Sequence, residues 1–473
     1  MKTRTSKSKK QSKKISIDSV WEPVNSHAAG VDIGFREHWA CVPAEATHKN
    51  VRPFGTFTSD LEAMAQWFEQ CQVTTVAMEA TGVYWIAAFQ ILERRGFKVL
   101  LVNPRQTKNV AGRKTDVLDC QWIQRLHTYG LLQGSFRPED PYCVLRTYCR
   151  YRDELVSARS TQCQHMQKAL QQMNLQLGQV LSDITGTSGL AIIQAILDGE
   201  RDPAKLLTGV NRRVQASNER ILKALVGDYR PEHLFVLRQA CELYHTYEEK
   251  IGACDEQIAQ ETARLPDKVD VKIKPLPARK AGRRASLDVM GGQDLRPVLY
   301  SKFGVDLTAI EGIGVVTALV LLTEIGPCMD RFPTEKHFCS WLGLCPDNRI
   351  SGGKVLSSRT RRVVNRAADA LRMSATTLQR SQSALGGYFR RMKARLGAAE
   401  AVTATGHKLA RLVYRLLKHG EAYVSKGMEQ YEKQFRERRL SNLRRAATAL
   451  GLELVEKQAP QVIPQQVIVQ GVS

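Results

Sequence analysis

Four acidic residues stand in a pattern that suits an oxygen-ligand metal site. Asp32 lies in Gly30-Val31-Asp32-Ile33-Gly34, inside an extended run of small and apolar residues. Glu79 follows directly on the apolar run Val73 to Met78, in Met78-Glu79-Ala80-Thr81-Gly82. Asp116 and Asp119 occur in Thr115-Asp116-Val117-Leu118-Asp119. At that spacing a helix puts both carboxylates on one face, with Thr115 as its cap. Carboxylates gathered from two strands and a helix repel one another, and a divalent cation removes the repulsion. Oxygen-only ligands suit Mg²⁺ or Mn²⁺. Two such ions about 3.5–4 Å apart can stabilise the attacking and leaving oxygens of phosphoryl transfer. Each acid alone also has a plainer role. Asp116 would be favoured by the helix dipole, Glu79 could be a solvated strand end, and Asp119 could lie on an exposed face. Their joint order along the chain carries the argument.

A second group of residues lies far along the chain. Ile350-Ser351-Gly352-Gly353-Lys354 is followed by Arg359, Arg361, Arg362 and Arg366. A serine before two glycines has an unencumbered backbone, so a phosphodiester can approach closely. Lys354, Arg359, Arg361 and Arg362 would hold phosphates. Ser357 and Ser358 are its rivals as a nucleophile, and a flexible Ser/Gly loop is the plain alternative. Gly312-Ile313-Gly314 precedes a helix of small and apolar residues. Such a turn can offer backbone N–H groups of Gly312 and Gly314 to a phosphate, or it can simply join packed helices.

The elements that must position these groups follow from periodicity. Ala29 to Val42 reads as two extended runs around Gly34–Glu37, Asp60 to Cys71 as a helix, and Val73 to Met78 as a strand. Tyr84 to Arg95 reads as a helix ended at Gly96, Lys98 to Val102 as a strand, and Thr115 to His127 as a helix. Strands alternating with helices imply a mixed sheet with helices packed on it. Val144 to Leu177 is polar and helical, with Val156, Cys163, Met166, Leu170, Met173 and Leu177 at heptad-like spacing. A second such stretch, Leu234 to Leu265, turns Leu237, Cys241, Tyr244, Ile251, Cys254 and Ile258 inward. These narrow seams fit either a coiled-coil dimerisation arm or two helices packed within one chain. Pro266 to Arg296 is basic and bears Pro and Gly, as linkers do. From Asp306 to about Phe435 the pattern is helical, and Lys457 to Ser473 reads as a loose tail.

Composition narrows the partners. Of 473 residues, Lys+Arg number 69 and Asp+Glu 47, for a net charge of +22. Such an excess points to a polyanion, nucleic acid before an anionic membrane. No run approaches the ~20 apolar residues of a membrane span, and the basic N-terminus has no hydrophobic segment behind it. Eleven cysteines, with no CxxC, argue against a disulfide framework or zinc ribbon and fit a reducing cytoplasm.

The order strand acid, strand-end acid, helix acids resembles the RuvC/RNase H-like nuclease fold. More closely, the chain resembles the DEDD-type insertion-sequence transposases, which join a RuvC-like domain to a serine-bearing transposase domain. The matching pieces are Val31–Gly34, Met78–Trp85, Val102–Lys108, Lys114–Ile123 and the segments around Gly312 and Ser351. The resemblance implies that Asp32, Glu79, Asp116 and Asp119 bind Mg²⁺ or Mn²⁺ and that Ser351 is the nucleophile toward DNA. Arg105, Lys108, Arg113 and Lys114 are assigned to nucleic-acid contact with Gly312, Gly314, Gly352, Gly353, Lys354, Arg359, Arg361 and Arg362. It also implies a structured non-coding guide RNA that pairs with donor and target duplex DNA. His407 and Lys408 are read as structural or backbone-contacting.

The expected architecture is an α/β RuvC-like N-terminal domain, a helical coiled-coil middle and a mainly α C-terminal domain. The boundaries are a basic tail over 1–18, the catalytic domain over 19–143, and the coiled-coil or dimerisation region over 144–265. A basic linker follows over 266–304, then the serine domain over 305–435 and a tail over 436–473. The expected protein is a cytoplasmic, nucleoid-associated bacterial recombinase, working as a dimer or tetramer whose linker lets the serine domain serve another protomer. The alternative is a metal-dependent junction nuclease in which Ser351 is only structural; a non-catalytic binder with a decayed nuclease domain is a third reading.

Overall fold

Side chains on a strand alternate between faces, and in this chain the alternation separates core from chemistry. A computed structural model describes residues 22–107, 115–278, 288–361 and 363–453. The chain divides into two compact units, 1–137 and 138–473.

The first unit contains β1 (Ala28–Ile33), β2 (Glu37–Cys41), β3 (Val51–Gly55), α1 (Thr58–Gln70), β4 (Thr75–Glu79), α2 (Trp85–Arg94), β5 (Lys98–Val102), α3 (Pro104–Thr107) and α4 (Asp116–Thr128). The strands form one sheet in the order β3-β2-β1-β4-β5. The first three are antiparallel neighbours, and β1, β4 and β5 run parallel. This mixed sheet with helices packed on it is consistent with an RNase H-like fold. Ala29, Val31 and Ile33 of β1 join Val76 and Met78 of β4 in a buried cluster with Leu61 and Phe68 of α1 and Leu92 of α2. The opposite face of β4 and β5 packs Ala77 and Val102 against Ile123 and Leu126 of α4. Strand β3 was not apparent in the sequence because it carries Pro53, which an edge strand tolerates and a central one does not.

The second unit begins with α5 (Asp140–Gln172), then α6 (Thr187–Leu197), α7 (Pro203–Leu207), α8 (Asn218–Ala224) and α9 (Pro231–Arg264). Helices α5 and α9 pack on each other antiparallel. Arg152 pairs with Asp255 and Arg159 with Glu248, so position rises on one helix as it falls on the other. Met166 and Leu170 share a core with Leu237, Cys241 and Tyr244, and Leu155 packs with Ile251 and Cys254. The heptad-like seams are therefore satisfied by each other within one chain. Leu177 lies past the end of α5, in a short 3₁₀ turn.

Next come β6 (Val289–Met290), β7 (Gln293–Asp294), α10 (Leu295–Phe303), α11 (Val315–Ile325), α12 (Glu335–Trp341), β8 (Arg349–Ser351), β9 (Lys354–Ser357), α13 (Arg366–Thr377), α14 (Ala384–Leu396), α15 (Ala398–His419) and α16 (Glu421–Ala449). Helix α10 lies inside the stretch that reads as a linker. Its Lys302 ammonium donates to the Leu265 carbonyl at 2.6 Å, and its Arg296 donates to the Pro277 carbonyl at 2.7 Å. Arg296 and Asp306 form a buried ion pair at 2.6 Å. Helix α16 continues well past Phe435, where the apolar pattern fades, because its second half is exposed and needs no core face. The expected N-terminal basic tail and the tail over 457–473 lie outside the described residues.

Candidate active site

Alternation puts Asp32 on the same face of β1 as Gly30, and Glu79 on the same face of β4 as Ala77. That face is covered by α4. Gly30 makes the approach possible. A Cβ there would run into Gln124 N and lie 2.6 Å from the Cys120 carbonyl oxygen, both backbone atoms of α4. The sheet and the helix are thus in backbone contact one residue pair below Asp32. This close approach was missed in the sequence, although a glycine inside a strand is the signal for it.

Helix α4 opens on the two remaining acids. Thr115 caps it, its hydroxyl accepting from Leu118 N at 3.4 Å, and Asp116 and Asp119 fall in the first turn. Glu79 is buried and held in place. Thr107 donates to one carboxylate oxygen at 2.9 Å and Thr81 to the other at 3.2 Å. Asp32 is half-buried and its carboxyl is pushed up to about 6. Burial is the largest cause, followed by the negative charges of Glu79, Asp116 and Asp119. The four predicted acids therefore share one electrostatic environment.

Excess negative charge around a half-buried carboxylate is what a cation would relieve, and the donor set is oxygen only, as hard divalent ions prefer. The residues fit such an ion in charge and chemistry. Among the described residues, no three His, Cys, Asp or Glu side chains stand close enough together to hold an ion. Asp32 is coupled electrostatically to the other three acids without the four forming a closed ligand cluster.

In the second unit, Ser351 ends β8 and Lys354 begins β9, facing each other across a two-residue turn. Gly352 and Gly353 have φ of 54° and 76°, the left-handed pair that a tight hairpin turn requires. Nothing lies within 4 Å of a Cβ built on either glycine. The hairpin is exposed along nearly its whole length, including Ile350, Val355 and Leu356. Among the described residues, the Ser351 hydroxyl has no hydrogen-bond partner. Ser357 accepts from Arg359 N at 3.4 Å, and Arg361 donates to the Ser340 carbonyl at 2.7 Å. Arg366 pairs with Asp153 at 2.9 Å.

The Gly312–Gly314 turn has a packing reason. Gly312 has φ of 89°, and a Cβ there would lie 3.0 Å from the Ser374 carbonyl oxygen on α13. Gly314 caps α11. His407 is half-buried, its carbonyl accepting from the Cys339 thiol, while the Lys408 ammonium lies 4.7 Å from the Tyr388 ring centre. Both have structural contacts within their own unit. Lys108, Arg113, Lys114 and Arg362 lie outside the described residues, as does the side chain of Arg105.

Parallel strands carrying acids at their ends, faced by a helix that starts with two more, are consistent with an RNase H-like acidic domain, followed by a largely helical unit. Two family models match separate stretches of the chain. One, of DEDD-type IS110 transposases and described as "Transposase", matches residues 29–175. The other, "Transposase IS116/IS110/IS902 family", matches residues 306–390. The chain belongs to the IS110 family of transposases. It is 30% identical over 122 residues to "Insertion element IS110 uncharacterized 43.6 kDa protein" of Streptomyces coelicolor, covering 25% of this chain and 30% of that protein. It is 32% identical over 131 residues to "Putative transposase y4pF/y4sB" of Sinorhizobium fredii, covering 25% of this chain and 32% of that one. The matched segments thus span about a third of each relative. No helix among the described residues is long and apolar enough to cross a membrane.

Proposed function

We propose that this transposase cuts and rejoins the DNA of a mobile element by metal-dependent phosphoryl transfer. The observation that carries the reading is Asp32, whose carboxyl is raised by its burial and then by three acids from β4 and α4. Asp32, Glu79, Asp116 and Asp119 would hold Mg²⁺ or Mn²⁺. When bound there, the cation supplies positive charge against the negative charge that develops in phosphoryl transfer. Thr81 and Thr107 fix the Glu79 carboxylate, and the Thr115 cap fixes the start of α4.

Ser351 is the nucleophile in this reading. Its oxygen bonds to phosphorus as the strand's P–O bond breaks; the serine proton passes to a base, and the departing sugar oxygen takes one up. The hydroxyl of an incoming strand then reverses the exchange and frees Ser351. Splitting the transfer in two keeps the phosphodiester energy that hydrolysis would discard. Lys354, Arg359 and Arg361, with the glycines of the turn, are assigned to phosphate contact. A structured guide RNA, donor and target duplex DNA and further copies of the chain are the proposed partners, in a bacterial cytoplasm at the nucleoid.

A second reading is a junction nuclease in which Ser351 is structural. The Ser351 hydroxyl has no base hydrogen-bonded to it among the described residues, and a hydroxyl without an adjacent base is a weak nucleophile, which favours it. A nicked suicide DNA substrate separates the two. An adduct mapped to Ser351, absent in Ser351→Ala and in Asp119→Ala, supports the recombinase. Full cleavage by Ser351→Ala with no adduct leaves the nuclease, and cleavage unaffected by EDTA overturns the metal site in both.

A further inference from the structure

Two aromatic rings stand in solvent beside the acidic centre. Phe35 is 68% exposed and Tyr84 44%, and their ring centres are 5.4 Å apart in an edge-on arrangement. Phe35 lies three residues after Asp32, and Tyr84 five after Glu79. The unit has a core that takes aromatics, since Trp67, Phe68 and Phe89 are buried in it. Contiguous exposed apolar surface rimmed by polar residues marks an interaction site, whereas scattered single side chains do not.

The two rings are held on built turns. A Cβ at Gly34 would run into the Glu37 carbonyl oxygen, so glycine is needed where the chain turns between β1 and β2 to present Phe35. Gly82 has φ of 54°, and the Tyr84 ring lies 3.4 Å from the position a Cβ would take there. The Trp85 indole donates to the Gly82 carbonyl at 3.1 Å. The same loop carries Thr81, whose hydroxyl donates to the Glu79 carboxylate. One short loop therefore sets both a ring and an acid.

We propose that Phe35 and Tyr84 form a seat on which one unpaired nucleic-acid base stacks, placing the adjoining phosphate at the acidic centre. This rests on the nucleic-acid reading above and adds a substrate preference to it. Every base offers an apolar face, and aromatic side chains are the usual platforms for it. Bases of an intact duplex are already stacked, so the seat selects strands that are nicked, bulged or opened. Arg36, exposed beside Phe35, supplies the positive charge for the backbone.

The test uses the full chain carrying Asp119→Ala, to stop turnover, with a duplex holding one bulged 2-aminopurine and with its fully paired counterpart. The expected result is quenched fluorescence and preferential binding of the bulged DNA. Adding Phe35→Ala and Tyr84→Ala should abolish the quench and weaken bulged-DNA binding roughly 5- to 150-fold, the scale of losing one stacked base. Paired-duplex binding should change less than about twofold, and Phe35→Trp should restore the quench. Equal binding and quench by the alanine variant overturns the seat, as does equal weakening of both DNAs. Metal-dependent cleavage by the wild-type chain is scored separately. If cleavage is present and the quench absent, the seat fails and the metal-dependent phosphoryl-transfer reading stands. If the Phe35-dependent quench is present and cleavage absent, the metal-dependent phosphoryl-transfer reading fails and the seat stands.

Discussion

Glu79 is buried and gripped by two threonine hydroxyls, whereas Ser351 stands on a glycine turn with open space around it. The acidic centre is set by a sheet, a helix cap and a glycine that admits a helix backbone. The serine hairpin is set by its own turn. Groups that must hold a fixed charge arrangement benefit from rigid elements. A nucleophile that must meet a long, bulky polymer benefits from access. The contrast separates a site ordered by the fold from one that, in the proposed reading, would be ordered by the substrate it engages.

The largest expected effects test that division directly. Asp32→Ala or Asp119→Ala should lower strand cleavage by roughly 10³-fold or more, the scale of removing charge stabilisation at a reacting centre. Nucleic-acid affinity should persist, because it comes from Lys and Arg. Ser351→Ala should leave folding untouched and remove the covalent adduct. Gel cleavage assays and thermal melts check both. A large fall in melting temperature for Ser351→Ala would break the comparison by showing that the hairpin is structurally committed.

Gly30→Ala sharpens it from the other side. The new methyl would meet the backbone of α4 at Cys120 and Gln124, so the helix must shift and take Asp116 and Asp119 with it. Overpacking of this kind costs about 1–3 kcal/mol, sometimes more. The expected outcome is a folded, less stable chain with little cleavage at any Mg²⁺ concentration. Normal cleavage would show that α4 does not need its close seat on β1.

Much of this centre was legible because its signals are local. Asp32 interrupts an apolar run, Glu79 ends one, and Thr115-Asp116 is a helix start whatever the rest of the chain does. The heptad-like seams were legible as seams, but periodicity does not name a partner, and only the packing of α5 on α9 shows where they go. Helix α10 was hidden in a basic stretch because its stability comes from distant groups, the Leu265 carbonyl and Asp306. Phe35 and Tyr84 looked like ordinary apolar residues, since exposure is a property of the fold and not of the string.

The buried order of the first unit should also appear as pH dependence. His127 on α4 is buried, its ring nitrogen 2.9 Å from the Thr75 hydroxyl. Its proton affinity is lowered from 6.5 to about 4, first by burial and then by the Lys98 charge. Below pH 6.5 the unfolded chain takes up a proton that the folded chain refuses until about pH 4. Stability therefore falls as pH drops through that window, by up to about 3 kcal/mol. Urea unfolding at pH 7.5 and 4.5 should show a smaller pH difference for His127→Gln than for the wild type. An unchanged difference would refute the assignment.

The smallest predicted effect concerns the open site. Lys354 lies opposite Ser351 across the hairpin and is exposed. If it neutralises one phosphate, Lys354→Ala should reduce the slope of log affinity against log salt by about 0.9 on duplex DNA. The affinity loss should be modest at physiological salt and should vanish at high salt, where counterion release no longer favours binding. Cleavage at the acidic centre should be unaffected once DNA is saturating, because the lysine contributes positioning and no charge to that centre. Lys354→Arg should restore the slope, since the contact needs a cation and no particular shape. Titrations of labelled DNA over a salt series measure this. A slope unchanged by Lys354→Ala would mean that the hairpin does not reach the backbone, and Ser351 would then lose its argument for access to a phosphodiester.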